Sequence, residues 1–502
     1  MIRIFLADFW KDIKRFFSEL IPKKVFSTRA IFLFFITFAA AIYRLSEIGL
    51  GISYDEAYTY LAFIRGSLLQ TAMDYHLPNN HIFLSLILNL VFHSFGGDLW
   101  VLRMPTLIVG VLMIPATYAL GKRLYNPATG ILAAIAVALF PELIHFSAIF
   151  RGYIFVAFFT LVVFILGDDL RRKKNRFGWL ALIIVFILGL YTIPTMLFPF
   201  AIFYYWLLFS ALIGDFRESY HSKWEFLQYW FASGILTGLG TFVLYLPIFI
   251  FSRDDLFNHH WLIPVPWDVL PNRMWGKLLN TWAEWTAPIP LWLAWLGVFG
   301  GIIALILHKK LSKHKFPLQI AFILGIVTMI LIQRPNAWPR VWSFSIALLL
   351  IWAAAGLVGI LGKLKIRQIS VAWLLVGVAS VTLFFGAVQL IPQLSIYPTE
   401  NSNLESSADF LTKELDSGDM ILMDGSHAPF LEYHLYIQGD YDGYFNREKE
   451  YQRIILVVVE KNGENLDVLL RKFSERYNFD IDTLKMLRNF GNYQIYEVFP
   501  VE

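Results

Sequence analysis

Long apolar segments alternate with short polar ones over the first four-fifths of the chain. Eleven of them approach the length of a membrane-crossing helix: residues 30–48, 104–121, 128–146, 150–168, 177–193, 195–213, 227–251, 290–307, 316–332, 339–361 and 369–391. A helix needs about 20 largely apolar residues to cross a hydrocarbon layer about 30 Å thick. The pattern therefore predicts a polytopic α-helical membrane protein with about eleven spans.

A twelfth apolar stretch, residues 81–96, is shorter and one-sided. As a helix it would be about 24 Å long at roughly 1.5 Å per residue. Its polar residues recur every four positions and so form a single stripe: His81, Ser85, Asn89 and His93. A short helix with one polar stripe suits the membrane interface better than a crossing. We therefore predict an interfacial helix here.

The pattern changes near residue 400, where polar residues become frequent. Helices are predicted over 402–415, 429–437 and 464–476, and strands over 419–424, 453–459 and 493–499. This alternation indicates a small soluble α/β domain. We divide the chain into a membrane domain, residues 1–395, and an α/β domain, residues 396–502.

Charge gives the expected orientation. With the amino terminus in the cytoplasm, the loops on that side are basic, as at Lys122-Arg123 and at 171–176, which agrees with the positive-inside rule. The outer face then receives loops 49–103 and 252–289 and the α/β domain. The basic amino-terminal stretch predicts a cytoplasmic interfacial helix before an uncleaved first span.

Composition narrows the class of protein. The chain is 57% hydrophobic and only 16% charged, which excludes an ordinary soluble protein. Its net charge of +4 is small and its basic residues lie in short clusters between spans, so we expect membrane orientation and no nucleic-acid partner. With no cysteine, thiolate metal sites and cysteine nucleophiles are excluded. We expect a multi-pass protein of the plasma membrane.

Two adjacent carboxylates, Asp55 and Glu56, follow the first span. Charged groups beside hydrocarbon are costly and are by default a functional-site hypothesis. Asp55 has two compatible interpretations: the N-cap of a helix that begins at Glu56, or a general base for a hydroxyl. Glu56 is interpreted as a neighbouring catalytic acid or as a structural partner of Arg103 or Arg151.

Histidines, arginines and an amide on the same predicted face are candidates for substrate binding. They are His76, Asn80, His81, Arg103, Arg151, His259, His260, Arg334 and Arg340. His76 and His81 are either polar interface residues or contacts to substrate or metal. Adjacent histidines such as His259-His260 are poorly spaced for one metal ion on a helix. Arg334 and Arg340 are interface anchors or bidentate phosphate ligands.

Five passages between residues 50 and 155 resemble the GT-C integral-membrane glycosyltransferases, in the branch of the protein O-mannosyltransferases and the lipid A aminoarabinose transferase. They are Tyr54-Asp55-Glu56-Ala57-Tyr58, His76-Leu77-Pro78-Asn79-Asn80-His81, Leu102-Arg103-Met104-Pro105, Ala119-Leu120-Gly121-Lys122-Arg123-Leu124 and Phe150-Arg151-Gly152-Tyr153. The family commonly has a second proline after Pro78, where this chain has Asn79. Some members have an acidic residue at the position of Arg151.

The resemblance implies an enzyme: a glycosyltransferase that moves a hexose or pentose from a polyprenyl-phosphate donor to an acceptor hydroxyl on the outer face, with inversion. Asp55 would be the acidic catalytic residue, with Glu56 beside it. The resemblance leaves open a divalent cation as cofactor, with metal ligands unassigned, and an acceptor that is a protein, a lipid or a polysaccharide. Membrane lipid is the other expected partner.

A transporter or flippase for a lipid-linked glycan is the main rival interpretation. It would account for outward arginines and a lipid groove, but it predicts charged or broken helices near the bilayer midplane. A scaffolding protein without catalysis is a further alternative, which predicts that Asp55 and Glu56 can be neutralised without effect.

Overall fold

The computed structural model describes residues 9–15, 27–49, 51–216, 220–252, 263–363, 397–424, 427–439, 441–445, 451–460, 466–474 and 476–501. Within these residues the protein is mostly helical, with one small mixed sheet near the carboxyl end. A helical membrane protein with a small α/β domain is thus confirmed.

Six helices among the described residues are long and apolar enough to cross a membrane: Thr28–Glu47, Leu99–Leu124, Tyr153–Arg172, Pro194–Leu212, Lys223–Phe251 and Pro339–Gly362. Two sharply bent pairs raise this number to as many as eight: Pro127–Leu139 with Pro141–Ala148, and Leu270–Thr286 with Leu291–Ile306. Three apolar helices are shorter: Ile82–Phe95, Arg176–Thr192 and Leu318–Gln333. The count of eleven stays a prediction, and segment 369–391 lies outside the described residues.

The segment predicted as one span over 128–146 consists of two helices that meet at 59°. The break falls at Phe140, which has an extended backbone (φ −73°, ψ 118°) before Pro141. A residue before proline is pushed out of the helical region by the proline ring. The predicted span over 128–146 is therefore a bent pair of helices, and its count as one crossing stays a prediction.

Leu270–Thr286 meets Leu291–Ile306 at 120°, so its direction differs greatly from that of the apolar helix after it. It exposes large apolar side chains, among them Trp275, Leu278 and Leu279. This is the character of a helix that lies in the membrane interface.

The carboxyl-terminal sheet has four strands in the order β1-β2-β4-β3. They are β1 Asp419–Met423, β2 Arg453–Val459, β3 Phe479–Phe490 and β4 Tyr493–Pro500. β1 and β2 are parallel, and β4 is antiparallel to both of its neighbours. The helices are Tyr397–Glu414, Ala428–Tyr436 and Leu466–Ser474.

The side chains of β2 alternate between the two faces of this sheet. Ile455, Val457 and Val459 share one apolar cluster with residues of the helices 397–414 and 428–436. Ile454, Leu456 and Val458 share the other with residues of the helix 466–474. The result is a three-layer α/β arrangement with apolar residues on both faces of its central strand.

The β3 strand was not predicted. It occupies the sheet edge, pairs only with β4, and has register shifts between Asp480 and Lys485 and between Met486 and Arg488. Most of its side chains are at least partly exposed, so the apolar alternation that marks a strand is missing from its sequence.

Chain contacts divide the protein into two compact units. One comprises Met1–Ile48, Leu69–Leu88 and Leu102–Ala387; the other comprises Gly49–Leu68, Asn89–Val101 and Val388–Glu502. Asp55 and Glu56 thus belong to the unit that contains the sheet, whereas residues 76–81 and Arg151 belong to the unit that contains most of the apolar helices.

Candidate active site

The two adjacent carboxylates lie on a short helix, Tyr54–Thr59, which we name the carboxylate helix. Its N-cap is Ser53, so the interpretation of Asp55 as the N-cap is wrong. Ser53 and Glu56 form a capping box: the Ser53 amide donates to Glu56 Oε2 at 2.9 Å, and the Glu56 amide donates to Ser53 Oγ at 3.4 Å. Glu56 is fully buried. Glu56 therefore has a structural role in starting the helix.

Asp55 is in the first turn of the carboxylate helix and is only partly buried. Its backbone carbonyl accepts a hydrogen bond of 2.6 Å from Thr59 Oγ1, which ties the first turn to the second. The two carboxylates thus differ: Glu56 is fixed inside the fold, and Asp55 is accessible.

A π-helical segment, Tyr60–Ile64, continues the carboxylate helix. Such segments are rare and often lie at functional sites. Asn89 Nδ2 donates to the carbonyls of Ile64 and Gly66, both at 2.7 Å, and His93 Nε2 lies 3.1 Å from the Gly66 carbonyl. Part of the polar stripe predicted for residues 81–96 therefore serves to hold this loop backbone.

Two of the passages noted in the sequence bind each other directly. The Gly152 amide donates to His81 Nδ1 at 2.8 Å, and Arg151 Nη1 donates to the Asn79 carbonyl at 3.1 Å. Tyr153 presents its ring edge-to-face with His81 at 5.1 Å between centroids. The passages 76–81 and 150–153 therefore form one hydrogen-bonded unit, which we name the His81–Arg151 unit.

Hydrogen bonding fixes the tautomer of His81. A backbone amide can only donate, so Nδ1 is the acceptor and the ring proton is on Nε2. Burial, together with the charges of Arg151 and Arg340, holds the pKa of His81 well below its usual value. His81 is therefore neutral near pH 7, and its Nε2 is a hydrogen-bond donor.

The arrangement around His81 is rich in donors. Arg151 Nη2 lies 3.3 Å from His81 Nε2, and neither atom can accept from the other, because a guanidinium has no acceptor. His81 and Arg151 are 3% and 2% exposed. Arg340, on the short 3₁₀ helix Pro339–Trp342, adds a second positive charge that acts on His81. Donors and positive charge that converge in this way are suited to an anion.

Asn80 holds the loop before His81 in place. Its Nδ2 donates to the carbonyls of Thr71 and Asp74, at 3.1 and 2.7 Å, and its side chain is buried. Asn80 therefore has a structural function here, and the substrate contact predicted for it stays a prediction.

His76 pairs with Asp74, a residue that the sequence analysis did not assign to the site. Asp74 Oδ1 lies 2.5 Å from His76 Nδ1 and also accepts from the His76 amide at 3.0 Å. Burial opposes ionisation of Asp74, but the hydrogen bonds from His76 outweigh it and lower the pKa of Asp74. Asp74 thus orients the ring of His76, and the substrate contact predicted for His76 stays a prediction.

The other candidates have local contacts or lie outside the described residues. Arg103 is fully buried and donates to the Ile48 carbonyl at 2.9 Å, where the first long helix ends. Arg334 has a left-handed backbone (φ 46°), and its guanidinium lies 4.9 Å from the Trp267 ring. Their binding roles stay predictions. His259 and His260 lie outside the described residues.

The described residues contain no group of three or more histidine, aspartate or glutamate side chains placed to hold a metal ion. The divalent cation left open by the sequence therefore has no fitting ligand set in this part of the chain, and its presence stays a prediction.

Residues 79–227 match the family model described as dolichyl-phosphate-mannose-protein mannosyltransferase. The fold is similar to that of ArnT from Cupriavidus metallidurans in the apo state, with a TM-score of 0.62 and 10% identity over 94% of this chain and 98% of that one. The structure of ArnT from the same organism bound to undecaprenyl phosphate has a TM-score of 0.60 and 11% identity, over 93% of this chain and 97% of that one. The sequence matches none of the curated proteins.

The apo oligosaccharyltransferase from Archaeoglobus fulgidus is also similar, with a TM-score of 0.50 and 12% identity over 86% of this chain and 70% of that one. Together with the family match, these similarities confirm the predicted resemblance to GT-C glycosyltransferases of the protein O-mannosyltransferase and ArnT branch. The matched range 79–227 includes His81 and Arg151.

Proposed function

We propose that this protein is a glycosyltransferase that moves a sugar from a polyprenyl-phosphate donor to an acceptor hydroxyl on the outer face of the membrane. The observation that carries the proposal is the His81–Arg151 unit, where buried hydrogen-bond donors converge and Arg340 adds positive charge. A donor phosphate carries negative charge and oxygens that accept hydrogen bonds, which suits these donors.

Two comparisons support the donor class. A related fold has been solved with undecaprenyl phosphate bound, and the matching family is named for a dolichyl-phosphate sugar. Both ligands are phosphates on long polyprenyl chains. In this chain, His81 of the His81–Arg151 unit immediately precedes the short apolar helix Ile82–Phe95.

The proposed reaction is a single displacement. Asp55 accepts the proton of the acceptor hydroxyl as its oxygen forms a bond to the anomeric carbon. The bond between that carbon and the phosphate oxygen breaks, and the polyprenyl phosphate leaves with the electron pair. His81 and Arg151 donate hydrogen bonds to the leaving phosphate, and Arg340 contributes charge. Attack opposite to the leaving group inverts the anomeric configuration.

Charge supports the proposed orientation. The predicted cytoplasmic loops carry the basic clusters, and the carboxylates and histidines fall in loops of the opposite face. We therefore place the amino terminus in the cytoplasm and the carboxyl-terminal domain outside the plasma membrane.

The experiment that tests this function uses purified protein in liposomes, supplied with a panel of undecaprenyl-phosphate-linked hexoses and pentoses. Mass analysis of cell-envelope glycans with and without the gene would first indicate the acceptor. We expect one donor to be consumed, with release of undecaprenyl phosphate and formation of a glycoside of opposite anomeric configuration. Movement of an intact lipid-linked sugar between leaflets, without cleavage, would instead support the transporter.

A further inference from the structure

A helix of the carboxyl-terminal domain contacts the carboxylate helix. The rings of Tyr54, which precedes Asp55, and Phe430 meet edge to face, with centroids 5.9 Å apart. Phe430 is on the helix Ala428–Tyr436, which we name the docking helix. The side chain beside the proposed base is therefore in contact with a domain that begins more than 300 residues later.

A second contact is centred on Tyr60, the first residue of the π-helical segment. Its ring meets Tyr433 at 5.0 Å and Tyr436 at 5.8 Å, both edge to face. The Arg65 guanidinium lies over the ring of Tyr436 at 4.8 Å. The docking helix thus contacts the segment 54–65 at its beginning, its middle and its end.

The opposite side of this segment is also held. Phe92 meets the Tyr60 ring at 5.6 Å, and a Cβ added at Gly97 would come within 2.7 Å of Tyr60 Oη. Asn89 binds the carbonyls at the end of the π-helical segment. The carboxylate helix and the π-helical segment after it therefore pack between residues 89–97 and the docking helix.

The docking helix packs against the sheet of its own domain. Leu431 and Leu435 are fully buried and belong to the same apolar cluster as Ile421 of β1 and Ile455 of β2. Phe430 and Tyr433 are on this helix, and the two leucines pack it against the sheet. A change in the position of this domain would therefore be transmitted to Tyr54 and Tyr60.

We propose that Phe430 and Tyr433 are positioning residues of the reaction: they hold the carboxylate helix and so set the direction in which the Asp55 carboxylate points. The inference rests on the proposed function, because it takes Asp55 as the base. On this view the carboxyl-terminal domain is part of the catalytic apparatus. It moves with the carboxylate helix as one body, and it does not open as a cover over it.

The first test replaces the contact. We expect Phe430→Ala combined with Tyr433→Ala to lower the turnover number about 100-fold, the cost of a reacting group misplaced by about 1 Å. Affinity for undecaprenyl phosphate should stay unchanged. The conservative pair Phe430→Tyr and Tyr433→Phe keeps both rings and should restore turnover.

A matched control is Phe490→Ala in the same domain, whose ring pairs with Phe410 at 5.9 Å. It should lower the thermal stability of the domain without lowering turnover. Equal losses of turnover in Phe490→Ala and in the double variant would show a purely structural effect and would overturn the proposal.

A second test needs no loss of the domain fold. The chain has no cysteine, so Tyr54→Cys with Phe430→Cys introduces a unique pair that a short bis-maleimide can join. We expect the joined protein to keep the turnover of the same variant before joining, because the docking helix and the carboxylate helix stay together through the reaction. A cover that must open predicts loss of turnover on joining, which would overturn the proposal. Phe410→Cys with Phe490→Cys, joined in the same way, controls for modification of the domain.

If Asp55→Asn is inactive while the Phe430 and Tyr433 variants keep full turnover, only the positioning role is lost. If Asp55→Asn keeps full turnover, the base is wrong whatever the docking helix does.

Discussion

The Gly152 amide donates a hydrogen bond of 2.8 Å to His81 Nδ1 across 71 residues of sequence. This bond fixes the imidazole tautomer and directs the Nε2 proton away from the backbone. With Arg151 beside it, the glycine determines the chemistry of the proposed phosphate site without touching the substrate.

Replacing Gly152 by alanine tests this site by adding a single methyl group beside His81. A Cβ there would come within 2.7 Å of Thr192 Cγ2 and 3.1 Å of His81 Nδ1. We expect Gly152→Ala to displace His81 and to weaken undecaprenyl phosphate binding by at least about 10-fold, through the loss of one well-placed charge-assisted hydrogen bond. Titration in detergent would measure this. Gly276→Ala, with nothing within 4 Å of the added Cβ, is the control and should bind normally.

His81 itself offers a paired test of the donor role. His81→Gln keeps a side-chain N–H donor, whereas His81→Leu removes it. We expect Leu to weaken undecaprenyl phosphate binding by about 10- to 100-fold, corresponding to a hydrogen bond to a charged group of about 1.5–3 kcal/mol. His81→Gln should lose considerably less affinity for undecaprenyl phosphate. Equal affinities of the Leu variant and the wild type would contradict the assignment of the phosphate to this unit.

The carboxyl-terminal domain should lose stability in mild acid. Burial, partly opposed by the charge of Asp409, lowers the pKa of His434 from 6.5 to about 4. The unfolded chain then binds a proton between these two values that the folded domain does not, so stability falls as pH drops from about 6.5 towards 4. The loss approaches roughly 3 kcal/mol at the lower end.

Replacing His434 by Gln removes this proton-binding site from both states. Hydrogen exchange of β2 in the full-length protein would measure the effect at pH 7 and pH 4.5. The readout is the protection factor, which corrects for the slower intrinsic exchange of amides in acid. We expect the protection factor to fall more in the wild type than in His434→Gln as pH falls. The same fall in both proteins would refute the role of His434.

Two apolar helices, Leu291–Ile306 and Ser343–Lys363, pack closely enough at their glycines to predict an effect of substitution on stability. A Cβ at Gly356, on Ser343–Lys363, would overlap the Gly300 carbonyl oxygen on Leu291–Ile306. We expect Gly356→Ala to force the helices apart at a cost of at least about 1–3 kcal/mol, lowering the melting temperature in detergent. Gly362→Ala on the same helix meets nothing within 4 Å and should not lower it.

The sequence predicts the elements whose signals are local. The strand 453–459 is an unbroken apolar, β-branched run, and its bounds in the structure are the same. The basic and apolar segments indicated a helical membrane protein for a similar reason. The β3 strand escaped prediction because it lies at an exposed sheet edge and has an irregular register.

The sequence predicts which residue types form the site better than it predicts the contacts between them. The sequence indicates Asp55 as a site residue because a carboxylate beside a membrane is energetically costly. The N-cap of its helix is Ser53, whose backbone amide donates to the Glu56 side chain in a capping box. The bond from Gly152 to His81 and the contact of Phe430 with Tyr54 join distant parts of the chain, and no local periodicity indicates them. The pairing of Asp74 with His76 had a weak local signal, an aspartate two residues before a histidine.

The most direct measurement compares sugar transfer by Asp55→Asn and Asp98→Asn, two isosteric neutralisations in the same loop, reconstituted in liposomes with the active undecaprenyl-phosphate sugar. Asp98 is exposed, and its replacement should leave transfer unchanged. Removing a general base costs about 10²- to 10⁴-fold, so Asp55→Asn should transfer at most about one hundredth as fast while still binding undecaprenyl phosphate. Transfer by Asp55→Asn at the wild-type rate would contradict the account.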